Sequence, residues 1–175
     1  MSLPPVRRVT TGHTDDGLST FQSDALVQPL TRPNGTRISF MYSAPSLPID
    51  NQDPKDWAKQ ESQGKNSAGG PNLFDVPGIS CRAIDIPPGA ASNMHRTLTF
   101  DFVVVMKGPI KVKMDSGEEK VLQTGDVLSQ KGTKHAWVNP HPSEWARLYV
   151  VVTNSLPIPS VQEESKDGSA PGWVS

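Results

Sequence analysis

The chain has almost no cysteine: Cys81 is the single one among 175 residues. That excludes an internal disulfide framework and a Cys-rich zinc module. Neither sign of charge dominates, since 17 Lys and Arg face 18 Asp and Glu for a formal net charge of -1. Such a balance carries no electrostatic footprint for nucleic acid or an anionic membrane. Long apolar runs are also missing. The longest, at 102–106, is strand-sized and far short of the roughly 18 residues of a membrane helix. The opening Met1-Ser2-Leu3-Pro4-Pro5-Val6-Arg7-Arg8 lacks the apolar centre of a signal peptide. The expected setting is cytoplasmic, with no membrane and no nucleic acid as partner.

Turn-forming residues are plentiful. Seventeen Pro and 14 Gly, with 35% hydrophobic residues, fit a core built from short strands and turns better than a helix bundle. Residues 1–36 are polar, broken by Pro and Gly, and read as an N-terminal arm over the body or a partner subunit. Residues 37–156 form the β domain, and 157–175 a polar, loosely held tail. The first expected strand is 38–42. Within the polar connection 51–73, Asp53 reads as an N-cap and Pro54 as the first helical residue, so 55–60 is expected as a short helix. The segment Ser67-Ala68-Gly69-Gly70-Pro71 would end it. Further strands are expected at 79–86, 95–106, 110–114, 120–122, 127–130, 135–138 and 147–153. Short strands joined by Gly-containing turns, with no helical spacers, argue for an antiparallel sandwich or barrel.

Two stretches carry the chemistry. In the first, running from Gly89 through His95 and Asp101 to Gly108, an extended 95–101 places His95, Thr97, Thr99 and Asp101 on one face. Arg96, Leu98 and Phe100 fall on the other. In the second, from Gly125 to Asn139, His135 and Trp137 point together by the same parity. A histidine gives or takes protons near neutral pH, and a carboxylate beside it in an apolar barrel makes an acid–base pair. Trp137 would supply a flat wall for an aromatic or polyene substrate, and Thr97 and Thr99 polar contacts to it. Arg96 would reach a substrate carboxylate. Gly89, Gly108, Gly125 and Gly132 read as turn residues, Asp126 as completing a turn, Asn139 as a strand-end residue bonding backbone, and Cys81 as a small core residue.

The two stretches resemble the paired signatures of the cupin superfamily, small jelly-roll β-barrels. Gly89, His95, Asp101 and Gly108 match the first, and Gly125, Gly132, His135 and Asn139 the second, with Lys131 where Pro is usual. The match spans about 76–153. Met94-His95-Arg96-Thr97 with Asp101, Gly132-Thr133-Lys134-His135-Ala136-Trp137, and the upstream Ser46-Leu47-Pro48 resemble a narrower group, the VirC-like cupin-domain oxidoreductases, some of which sit beside polyketide synthases. The resemblance implies an all-β fold, a single cupin jelly-roll barrel with an N-terminal arm and short helix, and commonly a homodimer.

It also implies a divalent metal (Fe, Mn or Zn) held in the family by three His and one Glu. This chain keeps His95 and His135, has Asp101 in place of Glu, and has Thr97 in place of the second His. Two imidazoles and one carboxylate suffice for a metal with open positions, so His95, Asp101 and His135 stand either as metal ligands or as an acid–base set with no cofactor. The function expected is a small-molecule-modifying enzyme of secondary, polyketide-type metabolism acting on an apolar or aromatic carbonyl compound. Oxidoreductase chemistry follows from the resemblance. A metal-free dehydratase, isomerase, cyclase or decarboxylase is the alternative, and a ligand-binding barrel without catalysis the third reading.

Overall fold

Alternation decides most of the strands. In Ile110-Lys111-Val112-Lys113-Met114 the apolar residues share one face, and Ile110 and Val112 are buried while the lysines reach toward water. The computed structural model, which describes residues 2–59 and 78–159, contains eleven strands: β1 (Val6–His13), β2 (Ser19–Val27), β3 (Leu30–Thr31), β4 (Arg37–Ala44), β5 (Ile79–Ile86), β6 (Thr99–Lys107), β7 (Ile110–Met114), β8 (Glu119–Leu122), β9 (Val127–Lys131), β10 (His135–Val138) and β11 (Ala146–Asn154). They form a six-stranded sheet in the order β3-β4-β5-β11-β6-β9, a three-stranded sheet β10-β7-β8, and a two-stranded β1-β2 ribbon. Every strand pairing is antiparallel. This is the expected all-β jelly-roll class.

The two larger sheets share one core. Val103, Val105, Leu148 and Ile86 from the six-stranded sheet meet Ile110, Val112 and Trp137 from the three-stranded one. Each such aliphatic side chain, taken from water to full burial, contributes roughly 1.5–3 kcal/mol. Turns between strands need left-handed backbone, and Gly125 (φ 94°) and Gly132 (φ 57°) supply it on either side of β9. Asn139, fully buried, donates from its amide to the carbonyls of Ile86 and Glu144 at 3.0 and 2.9 Å. That satisfies the strand-end role read for it. Asp126 likewise accepts from the Gln123 N–H at 2.7 Å and closes its turn.

Three expectations are corrected. The segment read as an arm without strands carries the β1–β2 hairpin. Its strands are held by polar cross-strand pairs, Arg7 with Asp24 and Thr10 with Ser23, so they leave no apolar period to read. Leu30–Thr31 then pairs with β4, and the main sheet thus begins before residue 37. The helix near 55–60 is one turn at 57–59 among the described residues. Its cap is Asp56, whose carboxylate accepts from the Lys59 N–H at 3.2 Å. Asp53 instead accepts from the Lys55 N–H and the Trp57 ring N–H, at 3.0 and 2.7 Å. The helix stop read at 67–71 and most of the tail lie outside the described residues.

Candidate active site

Strand β6 buries Thr99, Asp101, Val103 and Val105 and turns Phe102 and Met106 toward solvent. Asp101 therefore points inward, on the same face of the strand as buried Val103 and Val105. Its register partner on β9 is Gln130, which alternation with exposed Ser129 and Lys131 also turns inward. His135 opens β10 on the facing sheet. Residues 95–98 are not strand; β6 starts at Thr99, and the single continuous strand expected from 95 is corrected accordingly. His95 is held instead by a two-way bridge. Its N–H donates to the His135 carbonyl at 2.9 Å and the His135 N–H donates back at 2.8 Å.

The two imidazoles lie together, ring centres 4.4 Å apart and tilted by 52°. Nδ1 of His95 is 2.8 Å from the Asn93 carbonyl, and Nδ1 of His135 is 2.9 Å from the Thr133 carbonyl. A carbonyl only accepts, so each Nδ1 carries the proton and each Nε2 is the basic nitrogen. The Gln130 amide N–H groups donate to Asp101 Oδ2 at 2.8 Å and to His135 Nε2 at 3.2 Å. One side chain thus ties the acid of one sheet to the base of the other. Asp101 Oδ1 and Gln130 Oε1 remain buried without a hydrogen-bond partner, an arrangement native interiors seldom leave unexplained.

Burial biases all three groups toward their neutral forms. It lowers His135 to about 4, reinforced by neighbouring His95 and opposed by the Thr133 carbonyl. It lowers His95 as well, opposed by the Asn93 carbonyl and Asp101 and reinforced by Arg32. It raises Asp101 against the pull of Thr99, Gln130, Arg82 and His95.

These groups open onto a cavity of about 100 Å³. Its wall includes His95, Thr97, Asp101, His135 and Trp137, so five of the residues read from the sequence are brought together. Trp137 stands edge-on to His135, 5.7 Å between ring centres. Thr99 is behind the wall, 2% exposed, with its hydroxyl 2.7 Å from that of Thr97. Arg96 is not among the lining residues; its guanidinium is 3.9 Å from Asp115. Besides Ser92, three further polar residues line the cavity: Gln130, Arg82 and Arg32. Their signals were an inward glutamine on β9, an arginine in the apolar run 79–86, and an arginine just ahead of the turn at Pro33-Asn34-Gly35.

The donor set does not suit the divalent metal that the resemblance implies. Among the described residues no three His, Cys, Asp or Glu side chains gather closely enough to share an ion. Thr97, where the family has its second imidazole, is bonded to Thr99. The Nε2 lone pair of His135 faces an amide N–H.

No protein-family model matches the chain. Among curated proteins it is 34% identical over 154 residues to the phomopsin biosynthesis cluster protein D of Diaporthe leptostromiformis, covering 86% of this chain and 79% of that protein. It is 31% identical over 160 residues to the oryzines biosynthesis cluster protein J of Aspergillus oryzae, covering 89% and 87%. The cupin-domain-containing oxidoreductase virC of Hypocrea virens is 31% identical over 143 residues, covering 78% and 70%. Among solved structures, the Schizosaccharomyces pombe Cnp3 cupin domain superposes with a TM-score of 0.52 at 10% identity, covering 85% of this chain and 88% of that one. The last likeness concerns the fold alone. Among the described residues no helix is long and apolar enough to cross a membrane.

Proposed function

The chain belongs to the cupin-domain-containing oxidoreductases, and from that premise we propose that it is an enzyme of secondary metabolism that moves protons on a small carbonyl compound without a metal. The names of the relatives, with their phomopsin and oryzines clusters, support the metabolic setting. The observation that carries the chemistry is Gln130, bonded at once to Asp101 and His135 within an apolar cavity.

A general acid and a general base of matched state are what carbonyl rearrangement requires. His95, neutral and with Nε2 as the basic atom, takes a proton from the carbon next to the carbonyl, while the adjoining His135 ring, held by Gln130 through its own Nε2, keeps that base in place. Asp101 gives a proton to the carbonyl oxygen. Since Oδ2 accepts from Gln130, that proton belongs on Oδ1, the oxygen without a protein partner. The C–H bond breaks, an O–H bond forms, and the product is the enol. Gln130 Oε1, the other unpartnered acceptor, is suited to the enol O–H. Return of the proton to a different carbon gives an isomer, and departure of a neighbouring hydroxyl gives dehydration; neither needs an electron acceptor.

The test is deuterium uptake by acetophenone and a set of aliphatic ketones and enones in D2O, followed by NMR. Wild-type protein treated with a chelator should exchange the protons next to the carbonyl. His95→Ala and Asp101→Asn should slow that exchange by about 100-fold or more, the usual contribution of a positioned acid or base. Exchange that appears only when Fe, Mn or Zn is added would restore the metal-dependent reading. Protein that binds these compounds and exchanges nothing would be a binding barrel.

A further inference from the structure

The arginines of the described residues divide unevenly. Arg7, Arg8, Arg37, Arg96 and Arg147 each stand against an aspartate, namely Asp24, Asp56, Asp85, Asp115 and Asp85. Arg82 donates to the Ser80 hydroxyl at 3.0 Å and lies over the Phe40 ring. The Arg32 side chain, among the described residues, has neither a hydrogen bond nor an ion pair, yet it lines the cavity. The side chain is half-buried, and that partial loss of water lowers its pKa from the ordinary arginine value. A half-buried guanidinium without a counter-ion among the described residues has its N–H donors open to an anionic ligand.

The backbone around it is well fixed. The Arg32 N–H donates to the Thr36 carbonyl at 2.8 Å and the Gly35 N–H to the Arg32 carbonyl at 2.9 Å. The Asn34 side chain ties down Thr36 through both its amide nitrogen and its oxygen. The guanidinium is close enough to His95 to act on that ring's charge. Arg82 adds a second positive group to the same wall. Asp101 is the one carboxyl among the lining residues, and its hydrogen-bond partner is Gln130 and not Arg32.

We propose that Arg32 is the carboxylate-recognition residue of this cavity, and that the substrate is a small oxo acid seated with its carboxylate against Arg32 and its carbonyl toward Asp101 and Gln130. This rests on the proton-transfer reading above and names its substrate class. A guanidinium fork fits a carboxylate with two parallel N–H···O bonds and does so best where water is excluded. Arg32 is a specificity residue in this scheme; the proton-moving groups remain His95 and Asp101.

The experiment is calorimetric titration of the full chain with 2-oxohexanoate and with its methyl ester, which differ in the carboxylate charge. Wild-type protein should bind the acid at least about tenfold more tightly than the ester, a difference of about 1.4 kcal/mol. Arg32→Gln should reduce that preference to within about threefold, with the thermal midpoint checked for each protein. Arg32→Lys, which retains a cation and guards against a folding defect, should keep part of the preference. Equal binding of acid and ester by wild type, no binding of either, or an undiminished preference in Arg32→Gln overturns the inference. The two proposals fail separately. Proton exchange on neutral ketones without preference for the acid removes the carboxylate site and leaves the chemistry. Preference for the acid without any exchange removes the chemistry and leaves the site.

Discussion

Two buried aspartates, Asp85 and Asp101, are 3% and 6% exposed, and they are treated oppositely. Asp85, on the face of β5 turned away from the cavity, accepts a two-pronged bond from Arg147 at 2.6 and 2.8 Å, with Arg37 at 3.8 Å. The same two arginines donate to the carbonyls of Pro4 and Leu3, so the cluster pins the start of the chain to the sheet. Asp101 receives an amide instead of a cation and keeps one oxygen unpartnered. A charge that only has to hold structure is neutralised and enclosed. The carboxyl to which the proposed chemistry assigns a proton transfer keeps an oxygen without a partner, and the fold bears the cost of its burial.

Substitution should separate the two regions. Asp85→Asn leaves two guanidinium groups beside a neutral amide, and the protein should lose about 3 kcal/mol in denaturant unfolding. Asp101→Asn should behave in the reverse sense. Because burial raises the folded pKa of Asp101, its stabilising neutral form is fully present at low pH and is lost as pH rises through the window above 3.8. An asparagine does not ionise, so this variant should be at least as stable as wild type at pH 7 while losing proton exchange. A stability loss there equal to that of Asp85→Asn would mean that both aspartates are structural.

The imidazoles offer a smaller, pH-dependent contrast. The folded pKa of His135 is lowered to about 4 from the ordinary 6.5 of an imidazole. Below 6.5 the unfolded chain gains a proton that the folded chain refuses, so stability present above that pH is lost as pH falls toward about 4. The loss amounts to at most about 3 kcal/mol. His95 acts in the same direction, while Asp101 acts in the opposite one over its own window. The difference in unfolding free energy between wild type and His135→Ala, followed from pH 7 to 4, isolates the His135 part. A difference independent of pH would contradict it.

Much of the scaffold was legible because alternation forces it. The strand at 110–114 has the bounds its apolar alternation implies, and the strand at 79–86 ends where Pro87 and Pro88 stop it. The hairpin at the start was not legible, since its strands are held by pairs such as Thr10 with Ser23, which carry no hydrophobic period. At the site, strand parity brought His95, Thr97 and Asp101 to one side, although His95 arrives there through a bridge to His135 and not through a continuous strand. Gln130 escaped notice because a lone glutamine at a strand end resembles a solvated residue until its partner across β6 is known. Arg32 escaped because its segment reads as an arm, and only the turn at 32–35 carries it to the cavity. Arg96, a better candidate by position, is drawn off toward Asp115.

The state of the two histidines is the most direct test of the account. Long-range 1H–15N correlation spectra of the imidazoles across pH 3.5–8 report both tautomer and protonation. Both rings should be neutral at pH 7 with the proton on Nδ1, and His135 should gain its second proton only near about 4. A His135 that titrates close to 6.5, or that carries its neutral-state proton on Nε2, would contradict the Gln130 bridge on which the proposed chemistry stands.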